Sequence, residues 1–272
     1  MGAALVAGWL RAGMAPGSVC IAENDAQRRE QLALILPGVR TATETASETE
    51  TESLQAEGAV LAVKPADAEQ ACATAARTGA RRVLSIMAGV PIRAIDSWIG
   101  SEIDSRSGRQ AGSRPAVLRA MPNTPALVGA GVSALAGGTR VSREDFEWAE
   151  SLLRAVGTVV RVDEDDLDAV TGLSGSGPAY IFRVVEVLAL AGVRAGLPIE
   201  TSRVLARQTV VGAGKLLEES EEEPETLRAQ VTSPGGTTEA GLAVLEAGGV
   251  ANAFYEAVAA AADRSKELGE AR

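Results

Sequence analysis

Ser233-Pro234-Gly235-Gly236-Thr237-Thr238, followed by Glu239, combines residue types that can hold a small anion. Pro234 fixes one backbone angle, two glycines permit a tight turn, and two hydroxyls lead into an amphipathic run from Glu239 to Leu245. The spacing predicts a turn delivered onto a helix N-terminus with Thr237 or Thr238 as N-cap. Backbone N–H groups and the partial positive charge of the helix end would then form a seat for a carboxylate. Taken alone, the stretch favours the plainer reading of a Pro-Gly turn before an ordinary helix. A second stretch, Gly172-Leu173-Ser174-Gly175-Ser176-Gly177-Pro178-Ala179-Tyr180, repeats the design and shifts the balance.

The chemistry available is bounded by what is missing. The 272 residues include no histidine, which excludes a His-based triad and argues against a zinc site, so no metal is expected. Hydroxyls, carboxylates, backbone dipoles or a cofactor must do the work. A net charge of -10 disfavours nucleic acid and anionic membrane surfaces as partners. No apolar run reaches the length of a membrane span. No basic flank precedes the first apolar residues, which argues against a signal peptide. Cys20 and Cys72, the only cysteines, sit in apolar-patterned segments and read as buried thiols of a reducing cytoplasm. Aromatics make up 3% of the chain, so Ala, Val, Leu and Gly must fill the core.

The elements that would carry these residues follow from periodicity. Met1 to Leu10 is helical in pattern with Gly13 as its stop, and Val19 to Ala22 is a short strand. Asp25 or Asn24 caps a helix to about Leu36, and Val39 to Thr43 reads as another strand. Residues 41–53 are a polar, acidic stretch. Ala59 to Val63 is a buried strand, and Pro65 opens a helix to Thr78, stopped by Gly79. Arg82 to Met87 is a strand, followed by a helix to Ile99 and a polar connection over 101–114. Val117 to Met121 and Val132 to Leu135 are strands, Ser142 caps a helix to Ala155, and Thr158 to Val162 closes the series. This alternation predicts a parallel sheet covered on both faces. After Asp163 helical spacing runs through 178–195, 199–218, 239–247 and 250–268. The predicted fold is an α/β dinucleotide-binding domain over 1–163 and an all-α domain over 164–272. Ile181, Val184, Val185, Val187, Leu188 and Leu190 form a stripe wide enough for a second subunit, although an internal core would serve equally.

An α/β dinucleotide-binding domain opens with a strand and a glycine-rich turn. Here the chain starts inside the helix, without a first strand or G-x-G-x-x-G, so the sheet is expected to lack a central strand. The strand at 19–22 nevertheless ends in Glu23, the residue type that binds a ribose hydroxyl after such a unit.

Four motifs, in order and across both domains, resemble pyrroline-5-carboxylate reductase. They are Leu61-Ala62-Val63-Lys64-Pro65, Ala120-Met121-Pro122-Asn123-Thr124-Pro125-Ala126-Leu127-Val128, Thr171 to Tyr180, and Val231 to Thr238. The resemblance implies a Rossmann domain with a helical dimerisation domain, NADPH or NADH as cofactor, and reduction of 1-pyrroline-5-carboxylate to proline. It implies a cytoplasmic homodimer, assembled in some members into a decamer. Ala62, Val63, Lys64, Pro65, Ala88 and Gly89 would line the nicotinamide end, with Asn123 close by. Met1, Glu23 and Asn24 would complete the cofactor contacts. Ser233, Gly235, Gly236, Thr237 and Thr238 would hold the substrate carboxylate, with Thr238 near the ring nitrogen as the catalytic hydroxyl. Glu164 and Glu221 match positions near the substrate, and Ser174, Gly175, Ser176 and Gly177 would support the pocket from below.

The chain departs from the family's pattern in several places. The family's first strand and Gly-x-Gly-Asn-Met turn would precede Met1, so the chain reads as N-terminally truncated, with weak cofactor binding expected of it as written. Ala229 stands where the family has an acidic residue, and Glu223-Pro224-Glu225 where it often has His-Pro-Gly. Thr49 or Glu50 replaces an Asn that often reaches the cofactor. Glu23 favours NADH, against an offset from Arg28 and Arg29. Two other readings are a non-catalytic oligomerising member of the family and a reductase of another small keto or imino acid.

Overall fold

The computed structural model describes residues 1–43, 56–105 and 114–270. Most of the polar stretch 41–53, with Thr49 and Glu50, and most of the connection 101–114 lie outside the described residues. Two compact units emerge, Met1–Gly175 with Ala261–Arg272, and Ser176–Ala260. Secondary structure changes from strands to helices at Asp163, as the periodicity predicts. The packing boundary falls later, and the last turns of the chain count with the first unit.

Helix α1 (Gly2–Arg11) ends at Ala12, with Gly13 at φ 96°. Strand β1 (Cys20–Ala22) leads to α2 (Ala26–Ile35), where the Asp25 carboxylate accepts the Arg28 N–H at 2.9 Å as N-cap. Strand β2 (Arg40–Ala42) pairs in parallel with β1 as a separate two-stranded sheet. The second sheet has the order β3 (Gly58–Leu61), β4 (Arg82–Ser85), β5 (Ala116–Pro122), β6 (Gly131–Gly137), β7 (Gly157–Arg161). Among the described residues, strands β1 and β3 thus belong to two different sheets. The sheet is not wholly parallel, because β6 runs antiparallel to β5. The connection between them, Asn123 to Ala130, is too short for a crossover.

Helices α3 (Ala68–Arg77), α4 (Ile92–Ser105) and α5 (Arg143–Arg154) cover this sheet. Helix α4 continues past the predicted end at Ile99 because Ile103 extends the buried series Ile92, Ile95, Ile99. Alternation along the strands divides the core. Leu84 and Leu118 face a cluster with Leu5, Trp9 and Leu153, while Val83 and Val117 face Cys72, Ile95 and Ile99. Burying such a Leu or Ile contributes roughly 1.5–3 kcal/mol. Trp9 keeps its indole N–H satisfied by donating to the Leu152 carbonyl at 2.8 Å. Ser142 and Asp145 form a reciprocal capping box at the start of α5.

The helical residues after β7 comprise a 3-10 turn (Glu164–Asp166), α6 (Leu167–Val170) and a π turn (Thr171–Gly175). The second unit holds α7 (Gly177–Arg194), α8 (Ile199–Glu219), α9 (Pro224–Gln230), α10 (Thr237–Ala247) and the first turns of α11 (Val250–Glu270). Helix α9 carries too few apolar residues to show a period. Helices α7 and α8 cross closely where Gly192 meets Ser202: a Cβ at 192 would lie 2.4 Å from the Ser202 hydroxyl. Otherwise this unit buries little. Ile181, Val187 and Leu190 of α7 are 46%, 48% and 55% exposed. The helical run Glu164–Arg194 is long and apolar enough, by length and composition, to cross a membrane. This corrects the sequence reading. Small residues between the aliphatic ones raise the average without making an uninterrupted run.

Candidate functional site

Strand β1 and the parallel strands β3, β4 and β5 each run into a loop at their C-terminal ends, where α/β sheets bind ligands. After β3, the Lys64 residue caps a 3-10 turn (Pro65–Asp67) and its carbonyl accepts the Asp67 N–H at 2.9 Å. Ala62 and Lys64 are exposed, Val63 and Pro65 half-buried. The first turn of α1 comes close to this segment: a Cβ at Gly2 would meet the Ala62 Cβ at 3.0 Å. Met1 caps α1 without a side-chain bond, so that N-terminus offers backbone N–H groups alone. After β4, the Ser85 hydroxyl accepts the Met87 N–H at 3.3 Å, and the turn passes through exposed Ala88 and buried Gly89 at φ 69°. A side chain at Gly89 would be strained by its left-handed backbone.

Beyond β1, Glu23 and Asn24 form a loop tied down by Arg29, whose guanidinium donates to both of their carbonyls at 2.7 Å. The Glu23 carboxylate accepts the Asp25 N–H at 3.1 Å. Arg28 reaches along α2 to Gln31 at 3.1 Å. A backbone-lined helix N-terminus against a strand end, a glycine turn and an acidic residue after β1 together fit a dinucleotide. Met1 and Ala62 to Pro65, Ala88 to Gly89, and Glu23 to Asn24 are the residues that would hold it.

Asn123 stands at the end of β5, 9% exposed. Its carbonyl oxygen accepts the Val132 N–H at 2.9 Å, and its amide donates to the Ser174 carbonyl at 3.1 Å. Asn123 therefore fastens the π turn to the sheet. The Gly172–Gly177 stretch is not the open loop the sequence suggested. Thr171 and Ser174 return their hydroxyls to the carbonyls of Leu167 and Val170, at 2.7 and 3.2 Å, and the chain stays helical. Gly175 faces Met121, whose Cε would lie 2.8 Å from an added Cβ. Ser176 caps α7, with Gly177 and Pro178 opening it. Glu164 uses one carboxylate oxygen twice. It accepts the Ile92 N–H at 2.7 Å and pairs with Arg119 at 3.2 Å. Its role in binding the turn after β4 was not legible, because Ile92 and Arg119 are remote in sequence.

In the second unit, Ser233 to Gly236 close a turn through a Gly236 N–H to Ser233 carbonyl bond of 2.9 Å, with Gly235 at φ 70°. Proline second and a left-handed glycine third are the residues of a type II turn. Helix α10 starts at Thr237 and its N-cap is Gly236, without a side-chain cap bond. This corrects the expectation of a threonine cap, since the turn brings Gly236 into the cap position. Glu239 instead reaches back, accepting the Gly235 N–H at 2.8 Å. Thr237 and Thr238 occupy the first turn, exposed, and their N–H groups have no intrahelical acceptor. Glu221 is exposed after α8. Each unit thus holds its own set: the strand-end residues with Glu164 and Ser174 in the first, Glu221 and Ser233 to Thr238 in the second.

Fold and strand-end loops define a Rossmann-type α/β unit followed by a helical second unit. The comparisons agree. Residues 164–268 match the model for pyrroline-5-carboxylate reductase dimerisation, and residues 1–89 that for NADP oxidoreductase, coenzyme F420-dependent. The Synechocystis sp. pyrroline-5-carboxylate reductase is 46% identical over 78% of this chain and 74% of its own. The structure of a pyrroline-5-carboxylate reductase from Coxiella burnetii is 35% identical with a TM-score of 0.85, covering 97% of this chain and 93% of that one. The Plasmodium falciparum pyrroline carboxylate reductase with NADP bound is 27% identical with a TM-score of 0.78, covering 99% and 94%. The chain belongs to the pyrroline-5-carboxylate reductase family.

Proposed function

We infer that the chain reduces 1-pyrroline-5-carboxylate to L-proline with NADPH or NADH, the final step of proline biosynthesis. Relatives matching both units support this over a non-catalytic role. The observation that carries the site assignment is the Ser233–Gly236 turn at the N-terminus of α10. The first-turn N–H groups of Thr237 and Thr238 receive the substrate carboxylate, favoured by the helix dipole. The Thr238 hydroxyl hydrogen-bonds the ring nitrogen and fixes the tilt of the C=N bond. Ser233, Gly235 and Gly236 shape this seat, and Glu221 borders it.

Bound NAD(P)H supplies the hydride, which adds to the C=N carbon while nitrogen keeps the π electron pair. A substrate protonated on nitrogen becomes the secondary amine of proline directly, so no histidine is required. What remains for the chain is placement. Ala62 to Pro65, Ala88 to Gly89 and Asn123 form the nicotinamide wall, and Met1, Glu23 and Asn24 the remaining cofactor contacts.

The exposed aliphatic stripe of α7 covers itself against a second copy, giving a homodimer, with a decamer as a higher assembly. The dimerisation model spans the apolar run Glu164–Arg194 and supports a subunit interface there over a membrane span. The cytoplasm suits the free Cys20 and Cys72, the latter buried with its thiol pushed up to about 12.

Thr238→Ala tests the site. Turnover should fall about a hundredfold with little change in cofactor affinity. Unchanged turnover and unchanged substrate KM would remove Thr238 from the reaction.

A further inference from the structure

We propose that the end of α11 and the helical turn Glu164–Asp168 form a bracket that holds the Gly89 turn in shape for the nicotinamide end of the cofactor. Asp168, Ser265 and Gly269 are then positioning residues of the reaction. The proposal rests on the reading of Ala88–Gly89 as a cofactor wall.

Two pairs of residues one helical turn apart carry the inference. Glu164 and Asp168 are four residues apart and share a face of one helical run, as do Ser265 and Gly269 on α11. Glu164 accepts the Ile92 N–H at 2.7 Å, holding the end of the turn that follows β4. Asp168 accepts the Ser265 hydroxyl at 2.5 Å, and Ser265 is 6% exposed. That bond seats the last turn of α11, where Gly269 meets Gly89 backbone to backbone. A Cβ on Gly89 would lie 3.4 Å from the Gly269 nitrogen, and one on Gly269 would lie 3.3 Å from the Gly89 oxygen. The turn between is anchored below by Met87 and Val90, at 2% and 1% exposure. It is therefore gripped at its end by Glu164 and across its crest by α11. Glycine at 269 suits this approach, since a Cβ there would press on the Gly89 carbonyl oxygen and require it to give by a few tenths of an ångström. A surface helix end with no such task would tolerate any residue there and would not need a buried serine four residues earlier.

The test uses the full chain. Hydrogen exchange of the amides over residues 86–92 is measured without cofactor, and NADPH affinity by titration, for Ser265→Ala, Gly269→Leu, Ser265→Thr and the exposed control Lys266→Ala. Ser265→Ala and Gly269→Leu should speed exchange over 86–92. They should also raise Kd and KM for NADPH about tenfold, leaving KM for the imino acid unchanged. Ser265→Thr keeps the hydroxyl and should restore both readings, and Lys266→Ala should change neither. Unaltered exchange in Ser265→Ala and Gly269→Leu overturns the bracket. Faster exchange with unaltered NADPH affinity overturns the positioning role. Gly89→Val separates the two levels. If it weakens NADPH while the α11 variants do not, only the positioning role fails; if it too leaves affinity intact, the cofactor-wall reading fails.

Discussion

Replacing Glu164 by alanine removes two interactions at once. The Arg119 guanidinium, 10% exposed, loses its carboxylate partner, which is 31% exposed. Fully buried pairs cost 3–5 kcal/mol to break and exposed ones under about 1, so this pair falls near about 2 kcal/mol. The buried Ile92 N–H also loses its acceptor, a further cost of about 1 kcal/mol. Glu164→Ala should therefore destabilise by roughly 3 kcal/mol. Glu164→Gln keeps an acceptor for Ile92 and should lose only about 2 kcal/mol. In a Glu164→Ala, Arg119→Met double variant the stranded guanidinium is gone. Its loss should be about 2 kcal/mol smaller than the sum of the single losses. Urea unfolding followed by tryptophan fluorescence reads this out, since Trp9, Trp98 and Trp148 all lie in the first unit. Additivity within about 0.5 kcal/mol would refute the account of a coupled pair.

Two further expectations concern charge. Glu23→Gln removes the carboxylate after β1 and should shift the kcat/KM ratio toward NADPH by about tenfold, about 1.4 kcal/mol, measured by paired assays with both cofactors. Glu150 and Asp145 titrate below the ordinary carboxylate range. For Glu150 the hydrogen bond from Arg161 is the main cause; for Asp145, burial is outweighed by bonds from Ser142 and Arg82. Groups with a depressed folded pKa stabilise fully above the unfolded value and lose that stability as pH falls through the folded one. The urea midpoint should therefore hold above about pH 5 and decline below about pH 4. Glu150→Gln should flatten that decline.

Local signals in the chain proved sufficient for much of the first unit. Asp25, Ser142, Gly13 and Gly79 set helix ends that depend on neighbours within four residues. The antiparallel return of β6 was missed although its connection is too short for a crossover, and the seating of Ser265 on Asp168 was not legible because the two lie far apart in sequence. Among site residues, Ser233 to Thr238 could be read as a turn from Pro234 and Gly235 alone. The cap was misassigned because a glycine carries no capping side chain to reveal itself. The double use of Asn123 and of Glu164 needed the fold, since their acceptors and donors sit on other strands and helices.

The central claim is tested most directly by following the hydrogen itself. The chain is incubated with 1-pyrroline-5-carboxylate and NADPH deuterated at the transferable position, and the product is analysed by mass spectrometry. The account predicts L-proline carrying one deuterium on its δ carbon, formed in step with cofactor oxidation and lost in proportion in Thr238→Ala. Cofactor binding without labelled proline would contradict it.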